Sequence, residues 1–89
     1  MGYHNKEIVK GEYGAFSKIQ EELEELSDAI EQRNKIMQLI ELSDLLGAIE
    51  GFLEKNFVDI NLHDLVTMKN ATKNAFKDGA RKAKDEKQL

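Results

Sequence analysis

From Ala15 to Gln32 the apolar residues Phe16, Ile19, Leu23, Leu26 and Ile30 return at steps of three and four. That spacing keeps side chains on one stripe of a helix turning about 100° per residue, and it predicts a first amphipathic helix over 15–32. Arg33 and Asn34 break the pattern, and a second run from Lys35 to Lys55 carries Ile36, Leu39, Ile40, Leu42, Leu45, Leu46, Ile49, Phe52 and Leu53. This run is apolar nearly all round, so the second helix should bury more than one face. Residues 56–60 read as a connector. Asn61, with Asp64 three places on, can cap a third helix over 62–78, and Gly79 suits its C-terminal stop. Short connections between long helices favour antiparallel neighbours. The expected fold is therefore all-α, about three antiparallel helices per chain in a bundle that oligomerisation completes.

The helical domain spans 15–79 on this reading. Residues 1–14, with glycines at 2, 11 and 14, read as a loose lead-in in which His4 is mobile. Residues 80–89 form a charged tail with nothing to bury. With 89 residues the core can only be thin, which makes self-association an expectation. Proline is absent and aromatic residues are few, which suits uninterrupted helices better than sheet. There is no stretch of membrane-spanning length and no charged leader before a short apolar run, so the chain reads as cytoplasmic, with no membrane partner.

Charge narrows the chemistry. Seventeen acidic residues against thirteen basic give a net charge of −4, which argues against a nucleic-acid partner gripped by phosphate neutralisation. Cysteine is absent, so a metal would have to be held by oxygen or by His4 or His63. Most carboxylates fall between Glu21 and Asp44, whereas 69–87 is mostly basic.

Placement matters more than number. A run such as Glu21-Glu22-Leu23-Glu24-Glu25 is most often the solvated face of an ordinary helix. Here Glu22 borders the apolar stripe, Glu25 follows one step round, and Glu21 and Glu24 point further away. On the second helix, Glu41 and Asp44 leave the polar stripe of Ser43, Gly47, Glu50 and Glu54 and project between Met37, Ile40, Ala48 and Phe52. Carboxylates flanked by apolar groups are costly to desolvate unless something compensates them. Each pair is spaced by three, hence on one helix face. Packed antiparallel, the helices would bring four carboxylates into one patch, for which a hard divalent cation such as Mg²⁺ is the simplest remedy.

Glu21-Glu22-Leu23-Glu24-Glu25, followed after fifteen residues by Glu41-Leu42-Ser43-Asp44, resembles the EExxE and ExxD signature of the MazG-like all-α nucleoside triphosphate pyrophosphohydrolases. The likeness covers roughly 18–52. It implies Mg²⁺, or alternatively Mn²⁺, held by Glu22, Glu25, Glu41 and Asp44, with Glu21 in a supporting or water-activating role. It also implies a nucleoside triphosphate substrate cleaved between the α and β phosphates, and a homodimer or homotetramer. The stretch Lys69-Asn70-Ala71-Thr72-Lys73 resembles, more loosely, the basic segment that reaches the phosphates in such proteins, which makes Lys69, Asn70 and Lys73 candidate substrate contacts. Little chain precedes the first motif helix to build a wall for the base, and Tyr13 is the aromatic nominated to stack on it. The competing reading is a non-catalytic, oligomeric helical interaction module whose acids form a solvated or partner-facing patch.

Overall fold

Three helices follow one another in the computed structural model, which describes residues 4–75: α1 over Phe16–Glu31, α2 over Lys35–Asn56 and α3 over Leu62–Ala75. Among the described residues there is no strand, and no helix is long and apolar enough to cross a membrane. The boundaries of α1 and α2 fall within a residue of those the hydrophobic pattern predicts. The end of the third helix, the Gly79 stop and the charged tail lie outside the described residues.

The joint between α1 and α2 shows why the chain reverses there. Asn34 N–H donates to the Ala29 carbonyl at 3.2 Å and Arg33 N–H to that of Ile30 at 3.0 Å, so the last orphan carbonyls of α1 are satisfied by a Schellman turn. Arg33 sits at the left-handed position of that turn, with φ 59°, where glycine is the usual occupant. The Asn34 side chain then accepts from Met37 N–H at 2.9 Å and caps α2. At the start of α3, Asp64 N–H donates to Asn61 Oδ1 and Asn61 N–H to Asp64 Oδ2, both at 2.9 Å, which is the reciprocal cap expected from that pair.

α1 packs chiefly on α2, and α3 touches α2 only lightly and buries none of its residues. The apolar stripe of α1 is not the centre of this contact, and of its five residues only Ile19 and Leu26 are half-buried. Phe16, Leu23 and Ile30 face outward, Phe16 being 59% exposed, while Glu21, Glu22, Asp28 and Ala29 are the buried residues of α1. The inward face is centred more than a third of a turn from the apolar stripe. The buried apolar residues are Ala29 of α1 and Met37, Ala48 and Leu53 of α2.

Residues 4–14 are not the loose lead-in the sequence suggests. Asn5 N–H donates to Asp28 Oδ2 at 3.0 Å, Gly11 N–H to Glu21 Oε1 at 2.8 Å and Glu12 N–H to Ser17 Oγ at 3.0 Å. The segment is thereby tied to α1 at three points. Gly11 permits this approach, since a Cβ there would stand 2.2 Å from the Ser17 carbonyl oxygen. Gly14, at φ +92°, turns the segment into α1.

Candidate metal centre

The three-residue spacing of each acidic pair, on two helices packed face to face, brings Glu22, Glu25, Glu41 and Asp44 together. One carboxylate oxygen from each lies within 4.8 Å of all the others. Glu41 is fully buried at 0% exposure, Glu22 is buried, Glu25 is half-buried and Asp44 is exposed. Glu41 therefore lies inside, as its apolar flanks predicted, and Asp44 forms the solvent edge of the group. Glu22 Oε1 and Glu41 Oε1 are both buried and accept no hydrogen bond from the described residues. Orphaned carboxylate oxygens at the centre of four converging acids are what a bound cation would satisfy.

Glu21 is placed differently from the sequence reading. It is buried rather than turned away, and its carboxylate is engaged by Gly11 N–H at 2.8 Å and by the Lys18 ammonium at 3.0 Å. It is not among the residues whose oxygens converge. Glu24 is exposed, as expected.

The electrostatics separate these groups. Burial pushes the Glu22 carboxyl above its ordinary value, the Lys18 hydrogen bond opposes this, and the charge of Glu25 adds to it. Burial likewise raises Glu25, reinforced by Glu41. Burial also works against ionising Glu21, but the Gly11 N–H and Lys18 outweigh it and hold that carboxyl below the usual range. Two carboxylates about 4 Å apart at an effective dielectric of about 20 repel by roughly 4 kcal/mol. Lys18, 3.0 Å from Glu21 and 3.2 Å from Glu22, relieves one edge of the group.

Sequence reasoning missed three contributors. His4 reaches over from the lead-in, with Nδ1 2.8 Å from Asp28 Oδ2, and Nε2 3.2 Å from Glu41 Oε2 and 3.9 Å from Glu25 Oε1. Burial disfavours its charged form, yet the Asp28 hydrogen bond and the charges of Glu41, Glu25 and Asp28 raise its pKa above 6.5. Asp28 is the second; burial opposes its ionisation, but donors from His4, Asn5 N–H and Gln32 hold its carboxyl low. Lys18 is the third. Asp28 and Lys18 were legible in principle, because Asp28 continues the three-residue step from Glu22 and Glu25, and Lys18 stands three and four before Glu21 and Glu22. His4 carried no such signal, since a contact across 24 residues to Asp28 has no local spacing rule.

The nominated substrate contacts are scattered. Tyr13 lies over Gly51, its hydroxyl 3.3 Å from Glu54 Oε1, and with Lys18, Glu22, Ser43, Asp44, Gly47 and Ala48 it lines an open cleft of about 400 Å³. That cleft gives solvent access to Glu22 and Asp44. Lys69, Asn70 and Lys73 are exposed on α3 and line neither the Tyr13 cleft nor the opening beside His4 and Glu25; Lys69 Nζ donates to Asn70 Oδ1 at 2.8 Å. His63 is exposed on α3 as well.

The arrangement can hold a hard divalent cation and present it to an anion at the Tyr13 cleft. In comparisons with known proteins, no family model, curated protein or solved structure matched the chain.

Proposed function

We propose that the chain is a Mg²⁺-dependent pyrophosphohydrolase that cleaves the α–β bond of a nucleoside triphosphate, releasing a monophosphate and pyrophosphate. The observation that carries the reading is the convergence of four carboxylates within 4.8 Å from two helices, two of them with buried, orphaned oxygens. The sequence resemblance to the MazG-like signature names those same four residues. Glu22, Glu25, Glu41 and Asp44 would hold Mg²⁺, which when bound neutralises phosphate oxygens and lowers the pKa of an attacking water.

The chain's own groups do the rest. Asp44, exposed at the cleft, faces the incoming polyphosphate side of the acids, while Glu41, buried opposite, anchors the set from below. Lys18 offers the positive charge nearest the cleft for the departing pyrophosphate. Glu21, whose Oε1 takes hydrogen bonds from Gly11 N–H and the Lys18 ammonium, holds the lead-in against α1 beside the metal-holding acids. Tyr13 provides one aromatic wall of the cleft. The α3 lysines Lys69 and Lys73 would reach phosphate from a neighbouring subunit.

That last role needs an oligomer, and one observation favours it. Phe16, Leu23 and Ile30 on α1, at steps of seven, and Ile36, Leu39, Ile40 and Leu46 on α2 are all exposed, Leu39 by 68%. An apolar surface of this extent on a small chain is a subunit contact in waiting. It supports the reading of a homodimer or homotetramer with antiparallel helices around a shared core.

The test is pyrophosphate release across a panel of ribo- and deoxynucleoside triphosphates with Mg²⁺. Asp44→Asn should abolish turnover with helical content unchanged by circular dichroism, and retained activity removes Asp44 from the mechanism. The same exposed surface also suits the second reading, a non-catalytic oligomeric interaction module. Thermal melting separates the two, because a ligand bound only by the folded state raises the midpoint. No shift at millimolar Mg²⁺ favours the module.

A further inference from the structure

His4 is held in a way the four-carboxylate reading does not use. Asp28 Oδ2 accepts from Asn5 N–H at 3.0 Å and from Gln32 Nε2 at 2.8 Å, and it lies 2.8 Å from His4 Nδ1. An oxygen already taking two donors is an acceptor toward the ring as well, so Nδ1 carries the proton. Nε2 is hydrogen-bonded to Glu41 Oε2 at 3.2 Å and stands 3.9 Å from Glu25 Oε1, so a cation that takes the place of the Nε2 proton would face all three atoms. Glu41 is fully buried and its Oε1 accepts no hydrogen bond from the described residues. A cation held here would satisfy that oxygen.

The geometry fits. Ligand atoms about 2.1 Å from one ion stand about 3 Å apart when at right angles and about 4 Å apart when opposite. The chosen donor atoms of His4, Glu25 and Glu41 lie within 4.8 Å of one another. The Asp28–His4 pair has the form in which a carboxylate fixes the tautomer and direction of a metal-binding imidazole. Access is separate from the Tyr13 cleft: His4, Lys6, Glu7, Ile8, Lys10, Glu21 and Glu25 line a second opening of about 250 Å³ on the lead-in side.

We propose that His4, Glu25 and Glu41 form a second divalent-cation subsite, joined to the four-carboxylate one through the shared Glu25 and Glu41, and that its imidazole nitrogen selects a transition-metal ion such as Mn²⁺ over Mg²⁺. The inference rests on the carboxylate centre described above. A nitrogen ligand moves a site away from Mg²⁺, which prefers oxygen throughout, toward the later divalent ions. The lead-in is then part of the metal site: residues 4–14 deliver a ligand and close one side of the acids.

Electron paramagnetic resonance on the full chain loaded with Mn²⁺ tests this without reference to turnover. The expected stoichiometry is two Mn²⁺ per chain. Electron spin-echo modulation should show a ¹⁴N coupling that becomes a ¹⁵N coupling when histidine alone is labelled. His63→Ala should keep the coupling and His4→Gln should lose it together with one Mn²⁺. Asp28→Asn should weaken the second Mn²⁺ by about 10- to 100-fold. The labelled unsubstituted chain reports even if His4→Gln fails to fold. Bound Mn²⁺ without histidine nitrogen, or with a coupling lost in His63→Ala, overturns the proposal and leaves the four-carboxylate centre standing. No binding of Mn²⁺ or Mg²⁺ at all overturns both.

Discussion

Glu41 shows how one residue can work against the stability of its own fold. It is fully buried with Oε2 hydrogen-bonded to His4 and Oε1 unsatisfied, and the orphaned oxygen costs free energy unless a cation compensates it. Glu41→Gln should therefore raise the melting midpoint of the metal-free chain, by roughly 4–8 °C if the gain is about 1 kcal/mol, and should abolish the Mg²⁺-induced rise. A lower metal-free midpoint would show that the charge is satisfied without metal. Gly11 is the opposite case. Gly11→Ala would push a methyl into the Ser17 carbonyl and break the 2.8 Å bond to Glu21; the expected loss is about 1–3 kcal/mol in urea unfolding.

At the scale of the element, the three-residue joint between α1 and α2 sets the register of the acids. Arg33 adopts φ 59° without being glycine, so Arg33→Gly should stabilise by up to about 1 kcal/mol. Asn34→Ala, which removes the cap on Met37 N–H, should cost about 1 kcal/mol. Both are read from denaturant midpoints. If Arg33→Gly destabilises, the arginine side chain contributes more than its backbone strain subtracts. The helix limits were legible because they depend on local rules: a three-and-four repeat, a break at Arg33-Asn34, an Asn-x-x-Asp cap. Which face of α1 turns inward was not, because that choice is made by α2 and the lead-in together.

Over the whole molecule, the described chain buries four acids alongside four apolar side chains and leaves large apolar residues outside. On the proposed reading, cations and neighbouring subunits cover what one chain leaves unbalanced. Sedimentation equilibrium should find a dimer or tetramer, and Leu39→Glu combined with Leu46→Glu should shift it toward monomer while leaving the acidic centre intact. A monomeric parent chain would remove the oligomer from the functional reading.

Periodicity and spacing determined the all-α class, the limits of α1 and α2, the capped start of α3 and the placing of Glu22 with Glu25, and of Glu41 with Asp44, on one helix face each, because each follows from residues three or four apart on a helix. Only the tertiary structure decided that the two acidic pairs meet, that Glu21 and Asp28 are buried, that Phe16, Leu23 and Ile30 of α1 face out, and that His4 reaches the acids. Those depend on contacts between distant segments: hydrogen bonds from the lead-in to α1 and to α2 fix them, and no local pattern of residues encodes which distant partner a side chain will meet.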